Sequence, residues 1–202
     1  MKIKYSQENP IDVFNIWLFD LMSPLFKRLK FNPNHITTLS LIFGVLAIYY
    51  LYHHNIGGFA ITYYISYFFD CADGYYARKY GMVTKFGDYY DHAKDVAVFI
   101  GLIMVLVMKY RAPFKVWAIC ISILLVALCL TGVQFGCQEK IYDSEETPSL
   151  SFSKHLCIGD PEETIKYSKW FGVGMFIFIF IYCIFYLSIN EYRSSESSMS
   201  KI

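Results

Sequence analysis

Residues 70–95 read DCADGYYARKYGMVTKFGDYYDHAKD and join two apolar stretches, so four aspartates stand where the chain leaves one lipid-compatible segment and begins the next. Asp70 and Asp73 are three apart, and Asp91 and Asp95 are four apart; on helices each pair shares one face. The short connection makes the two helices antiparallel neighbours, with both acidic faces meeting near one boundary of the bilayer. An aspartate at the centre of a membrane helix costs roughly 2.5–3.5 kcal/mol, so four cost about 10 kcal/mol at full depth and less at the interface. The carboxylates are therefore expected to meet something positive. No pair of cysteines or histidines stands near them, and all-oxygen ligation suits Mg²⁺ or Mn²⁺ better than zinc or copper. Four acids are enough for two ions about 3.5–4 Å apart. A membrane transporter whose buried acids guide cations or protons is the competing reading of the same residues.

The rest of the chain supports the membrane setting. Of 202 residues, 55% are hydrophobic and 19% aromatic, with a mean hydropathy of +0.35, above the range of soluble globular proteins. The net charge of +1 and the absence of a basic stripe with stacking aromatics argue against nucleic acid as a partner. A bilayer core about 30 Å thick needs roughly 20 helical residues, and residues 35–52, 57–77, 87–108, 116–135 and 170–189 meet that length. The expected fold is all-α: a polytopic membrane bundle with five apparent spans, or six with one further crossing. Ahead of them Ile11, Phe14, Trp17, Leu18, Leu21 and Leu25 recur at helical spacing while Asp12, Asn15 and Asp20 occupy other faces, which predicts an amphipathic helix on the membrane surface. The organisation is an interfacial segment at 1–31, an embedded domain at 32–190 and a serine-rich, disordered tail at 191–202.

With the amino terminus in the cytoplasm, twelve Lys and Arg fall on that side (Lys2, Lys4, Lys27, Arg28, Lys30, Arg78, Lys79, Lys85, Lys140, Lys154, Lys166, Lys169). Five fall opposite (Lys109, Arg111, Lys115, Arg193, Lys201). That asymmetry favours an amino-terminus-in topology with the acids at the cytoplasmic face. The polar stretch 138–168, with Asp143, Glu145, Glu146, Asp160, Glu162 and Glu163, reads as a solvated loop on the same side, with a lid or acceptor-binding segment as the alternative. Cys71, Cys120, Cys129 and Cys183 lie in apolar stretches as small hydrophobes; Cys137 and Cys157 could pair if their segment faced an oxidising compartment, but the topology places it on the reducing side, so free thiols are expected. The opening residues lack the pattern of a removed signal peptide.

Gly74, Ala77 and Gly87 leave room beside the acids for a bulky group, and Arg78 offers a guanidinium to a phosphate oxygen; singly, these residues also suit helix packing and interfacial anchoring. Together they complete the pattern D-x-x-D-G-x-x-A-R, eight residues, then G-x-x-x-D-x-x-x-D. A chance match to its eight fixed positions is roughly below one in a million. The string resembles the defining motif of the CDP-alcohol phosphatidyltransferase class-I family. Upstream, Asn32 to Thr37 (NPNHIT) is similar to the family's Pro-Asn-x-x-Thr segment beside the nucleotide.

The resemblance implies transfer of a phosphatidyl group from a CDP-activated donor, CDP-diacylglycerol for so short a chain, to a small alcohol with release of CMP. A donor carrying CDP-choline or CDP-ethanolamine, acting on diacylglycerol, is the alternative within the family. Carried onto this chain, the motif implies Asp70, Asp73, Asp91 and Asp95 as ligands of one or two Mg²⁺ or Mn²⁺ ions, with Asp95 also the catalytic general base. Asn34, Thr37, Asp73, Gly74, Ala77, Arg78 and Gly87 would bind CDP. Asp88, His92 and Lys94 lie outside the motif and read as solvent-facing or anchoring groups. A homodimer is a further implication of the resemblance, as is a six-span core, one more than the five stretches counted here.

Overall fold

A computed structural model of the chain describes residues 5–142 and 153–199. Among the described residues the fold is all-helical: α1 (Pro10–Arg28), α2 (Pro33–Tyr52), α3 (Ile56–Lys79), α4 (Lys85–Lys109), α5 (Phe114–Tyr142), α6 (Pro161–Ser168) and α7 (Val173–Met199). Local chemistry sets the starts. The side chain of Asn9 accepts from Ile11 N ahead of Pro10, and Asn32 with His35 forms a reciprocal capping box ahead of Pro33. Asn55 and Thr84 cap α3 and α4 by accepting from Gly58 N and Gly87 N. Gly81, at φ +66°, takes the left-handed conformation that reverses the chain between α3 and α4.

Helices α2, α3 and α4 form a tightly packed unit. Ser40 Oγ donates to Ser66 O at 2.9 Å and Ser66 Oγ donates to Ser40 O at 2.8 Å, a reciprocal clasp between α2 and α3. A Cβ on Gly101 would lie 2.5 Å from Ile48 Cδ1, so α4 approaches α2 only because that position is glycine. Leu51, Phe59, Leu102, Leu106, Phe180 and Ile184 are among the core residues that tie α7 to this unit.

Apolar side chains also cover the outside. Val45, Ile61, Val107, Leu125, Val126 and Phe185 are all more than half exposed, as expected of helices that are apolar all round and sit in lipid. Among the described residues, three helical stretches are long and apolar enough to cross a membrane: Pro33–Tyr52, Phe114–Ile141 and Pro161–Ser194. The charged residues between 70 and 95 fall in α3 and α4, which are not among the three.

The face of α1 expected to meet lipid does point away from the protein. Trp17, Leu21 and Leu25 are exposed, while Asn15 accepts from Tyr64 OH at 2.8 Å and Asp20 from Tyr75 OH at 2.6 Å. Asn15 faces the bundle together with Ile16, Phe19 and Phe26, while Trp17, Leu21 and Leu25 leave an apolar stripe that the protein does not cover.

Three expectations change. Cys137 and Cys157 are joined in a disulfide: α5 continues to Tyr142, past the end of its apolar stretch, and the segment at 153–157 returns against it beside Gly136. The polar stretch 138–168 is not simply a loop, since its first residues belong to α5 and its last form α6; Asp160, Glu162 and Glu163 are solvent-exposed, while Asp143, Glu145 and Glu146 lie outside the described residues. The tail expected to be disordered is helical through Met199.

Candidate active site

The 70–95 motif folds as its spacing predicts, with Asp70 and Asp73 in the last turns of α3 and Asp91 and Asp95 in the first turns of α4. Oxygens of Asp70, Asp91 and Asp95 lie within 4.8 Å of one another. Asp73 stands apart from that trio: it is buried, and its Oδ2 accepts from Thr37 Oγ1 at 2.6 Å, which ties the start of α2 to the acidic end of α3.

Lys94 occupies the middle of the cluster. Its side chain is 2% exposed, and Nζ pairs with Asp70, with Asp91 Oδ1 at 3.1 Å and with Asp95 Oδ1 at 2.7 Å. Ser40 Oγ accepts from it at 3.2 Å. The residue that reads as an interfacial anchor is instead a buried counter-ion to three carboxylates. The signal available in the sequence was its place three residues after Asp91, on the same helical face.

A cavity of about 350 Å³ opens beside the acids. Asn34, Thr37, Asp73, Gly74, Ala77, Arg78 and Gly87 all line it, together with Asp70 and Asp91. Asp95 does not; its side chain is 56% exposed and it joins the group through Lys94. Glycine keeps part of this wall open, since a Cβ on Gly87 would come to 3.2 Å from Asn34 Oδ1 and 3.1 Å from Thr84 Oγ1. Asp88 and His92 also line the cavity, and His92 Nδ1 lies 2.8 Å from Asp88 O.

The opposite wall comes from residues that no motif marks: Glu8, Asp12 and Ile16 at the amino terminus, Tyr67 and Cys71 on α3, Phe135, Gln138 and Glu139 on α5, and Val173 at the start of α7. Gln138 Nε2 donates to Glu8 Oε1 at 3.1 Å, and Asn9 Nδ2 donates to Lys169 O at 2.8 Å, so the residues just ahead of α1 close this side together with α5 and the turn before α7. Burial, reinforced by the charges of Glu8 and Asp70, pushes the Asp12 carboxyl up to about 8; burial also raises Glu8.

The donor set fits a hard divalent cation. It is all carboxylate oxygen, drawn from two adjacent helices, with oxygens of Asp70, Asp91 and Asp95 converging around one buried ammonium. A lysine ammonium at that point shows how strongly the site favours positive charge.

No curated protein and no solved structure matches the chain. The model of the family described as CDP-alcohol phosphatidyltransferase matches residues 30–191, from the turn before α2 into α7 and across every helix that carries an acid of the cluster. The chain is thus a transferase of phospholipid biosynthesis, with helices apolar enough to span a membrane, and it belongs to the CDP-alcohol phosphatidyltransferase family.

Proposed function

We propose that this enzyme transfers the phosphatidyl group of CDP-diacylglycerol to a small alcohol and releases CMP. The observation that carries the reading is the convergence of Asp70, Asp91 and Asp95 next to a cavity lined by Asn34, Thr37, Gly74, Ala77, Arg78 and Gly87. In the reaction the acceptor oxygen forms a bond to the phosphorus that carries the lipid, the anhydride bond to the other phosphorus breaks, and the electron pair leaves with CMP. The hydroxyl proton passes to Asp95, a half-exposed carboxylate paired with Lys94 at the edge of the acidic cluster.

Asp70, Asp73, Asp91 and Asp95 would hold one or two Mg²⁺ or Mn²⁺ ions. When bound, such ions neutralise the diphosphate and the charge that develops on departing CMP. Lys94 holds the carboxylates together from beside Ser40. Arg78 offers a fork to the diphosphate, and Thr37 fixes the Asp73 carboxylate.

Five helices of 20 to 29 residues (α2, α3, α4, α5 and α7) would cross the bilayer, with α1 lying on it as the sixth element. The excess of Lys and Arg supports placing the acidic end at the cytoplasmic face.

Incubation of purified protein with labelled CDP-diacylglycerol, Mg²⁺ or Mn²⁺ and a panel of alcohols tests the reading. The expected result is metal-dependent CMP release that requires an acceptor. Turnover seen only with a CDP-linked head group and diacylglycerol would replace the donor; ion flux without CMP would replace the reaction.

A further inference from the structure

Asp70, Asp91 and Asp95 converge on an ammonium. Lys94 Nζ carries three N–H donors, and it meets one carboxylate for each: Asp70, Asp91 Oδ1 at 3.1 Å and Asp95 Oδ1 at 2.7 Å. From α2, the fully buried Ser40 touches the same nitrogen at 3.2 Å, and Ser40 is itself locked to Ser66. One turn further along α4 and α2, Val98 sits so close to Gly44 that a Cβ there would come to 2.7 Å from Val98 Cγ2. The nitrogen is thus seated on a closed helix seam with its donors matched. Taking one partner out of such a buried charged group is strongly unfavourable, because the charges left behind lose their balance.

The four aspartates divide around that nitrogen. Asp70, Asp73 and Asp91 line the cavity, and Asp95 does not. Asp73 lies outside the Lys94 group, with Thr37 donating to its Oδ2. Two divalent ions in a paired site stand about 3.5–4 Å apart and share carboxylates. A second ion here would have to share Asp70, Asp91 and Asp95 with an ammonium already in contact with all three. Like charges that close repel far more strongly in a buried site than in water.

We infer that the Lys94 ammonium stands in for a second metal ion, so that the enzyme holds one resident divalent cation, on Asp70, Asp73 and Asp91. This rests on the metal-dependent transfer proposed above and narrows its one or two ions to one. Lys94 is a positioning residue that acts through the carboxylates: its charge holds Asp70 and Asp91 together beside the ion and keeps Asp95 next to them but off the ion.

The test titrates the full chain, in phosphatidylcholine nanodiscs, with Mn²⁺ alone and counts the bound ions by electron paramagnetic resonance. Wild type is expected to bind one Mn²⁺ per chain, with no spin coupling between ions. Lys94→Met removes the nitrogen and is expected to bind two, spin-coupled. A lysine with a merely structural role would leave the two counts equal. In the wild-type background, Asp73→Asn is expected to weaken Mn²⁺ binding at least about tenfold more than Asp95→Asn does, the scale on which a metal site responds to loss of a supporting group. The wild-type count and this pair carry the test if Lys94→Met does not fold. Two coupled ions in wild type, no bound ion, equal counts with and without the lysine, or equal losses in the two aspartate variants overturn the inference and leave CMP release to be judged by its own assay. Counts of one and two in a protein that releases no CMP with any acceptor overturn the transfer reaction and leave the role of Lys94 standing.

Discussion

The two walls of the cavity are built in opposite ways. Most of one comes from residues 70–95, a string short enough to be placed by a single helical reversal at Gly81. The other is assembled from Glu8, Asp12, Gln138, Glu139 and Val173, with the Glu8–Gln138 hydrogen bond spanning 130 residues. Chemistry held by local spacing survives wherever that helix pair forms, whereas chemistry held by tertiary closure depends on the whole chain. The first wall should accordingly control whether reaction occurs, and the second should respond to any change that loosens the fold.

The largest effect expected under this division is in the motif. Asp91→Asn removes a carboxylate from the centre of the cluster and should cost several kcal/mol of transition-state stabilisation, more than about 10³-fold in rate. A divalent-ion titration identical to wild type would break the division at its root. Asp95→Asn should lower kcat by about 10²- to 10⁴-fold, the usual contribution of a general base, with acceptor KM little changed. Near-normal turnover would take the proton-accepting role away from that residue.

Lys94→Met sharpens the contrast because it alters stability and not recognition. Removing one partner from a buried charged cluster costs about 3–5 kcal/mol, and here three carboxylates lose their ammonium. Thermal unfolding in chelator should show the loss. Added Mg²⁺ should restore the variant by more than it stabilises wild type, since the cation then supplies the missing charge. Equal Mg²⁺ responses would mean that lysine and metal do not share the site.

Much of this first region is legible in sequence because its message is local. Four acids at helical spacing, the glycines and Arg78 give a site before any fold is known, and Asn32 with Pro33 marks where α2 begins. Lys94 escapes that reading because one lysine in an apolar stretch has an ordinary role as an anchor, and only the burial of its ammonium distinguishes the two. Glu8, Asp12, Gln138 and Glu139 escape for a stronger reason: no periodicity links positions so far apart. The thiol expectation failed similarly. It rested on compartment alone, whereas the disulfide depends on α5 outlasting its apolar run.

The disulfide therefore gives the next prediction and a test of topology. It closes a 20-residue separation beside Gln138 and Glu139, for which chain entropy suggests about 3 kcal/mol under oxidising conditions. Cys137→Ser should cost about that much there and almost nothing in reductant. The positive-charge bias puts this face in a reducing compartment, while a disulfide persists in an oxidising one. Impermeant thiol reagents applied to sealed vesicles, before and after reduction, decide which holds. Reaction at Cys137 and Cys157 only from the outer face would reverse the proposed orientation.

The smallest effect lies at the seam between the two regions. Asp20 on α1 accepts from Tyr75 OH and pairs with Lys79 on α3, both donors belonging to the motif helix. Those partners, Lys79 first, hold the Asp20 carboxyl below its ordinary range. A depressed carboxyl contributes stability above its unfolded-state value and loses that contribution as pH falls through the folded one. The side chain is 45% exposed, so solvent screening limits the pair to under about 1 kcal/mol. Asp20→Asn should lower the unfolding midpoint slightly at pH 7, and the difference from wild type should shrink below about pH 4 as the native carboxylate protonates. Acceptor KM should stay fixed, because α1 remains seated through Asn15 and Phe19. A large change in acceptor KM would instead make this seam part of alcohol recognition, and the two walls would no longer act separately.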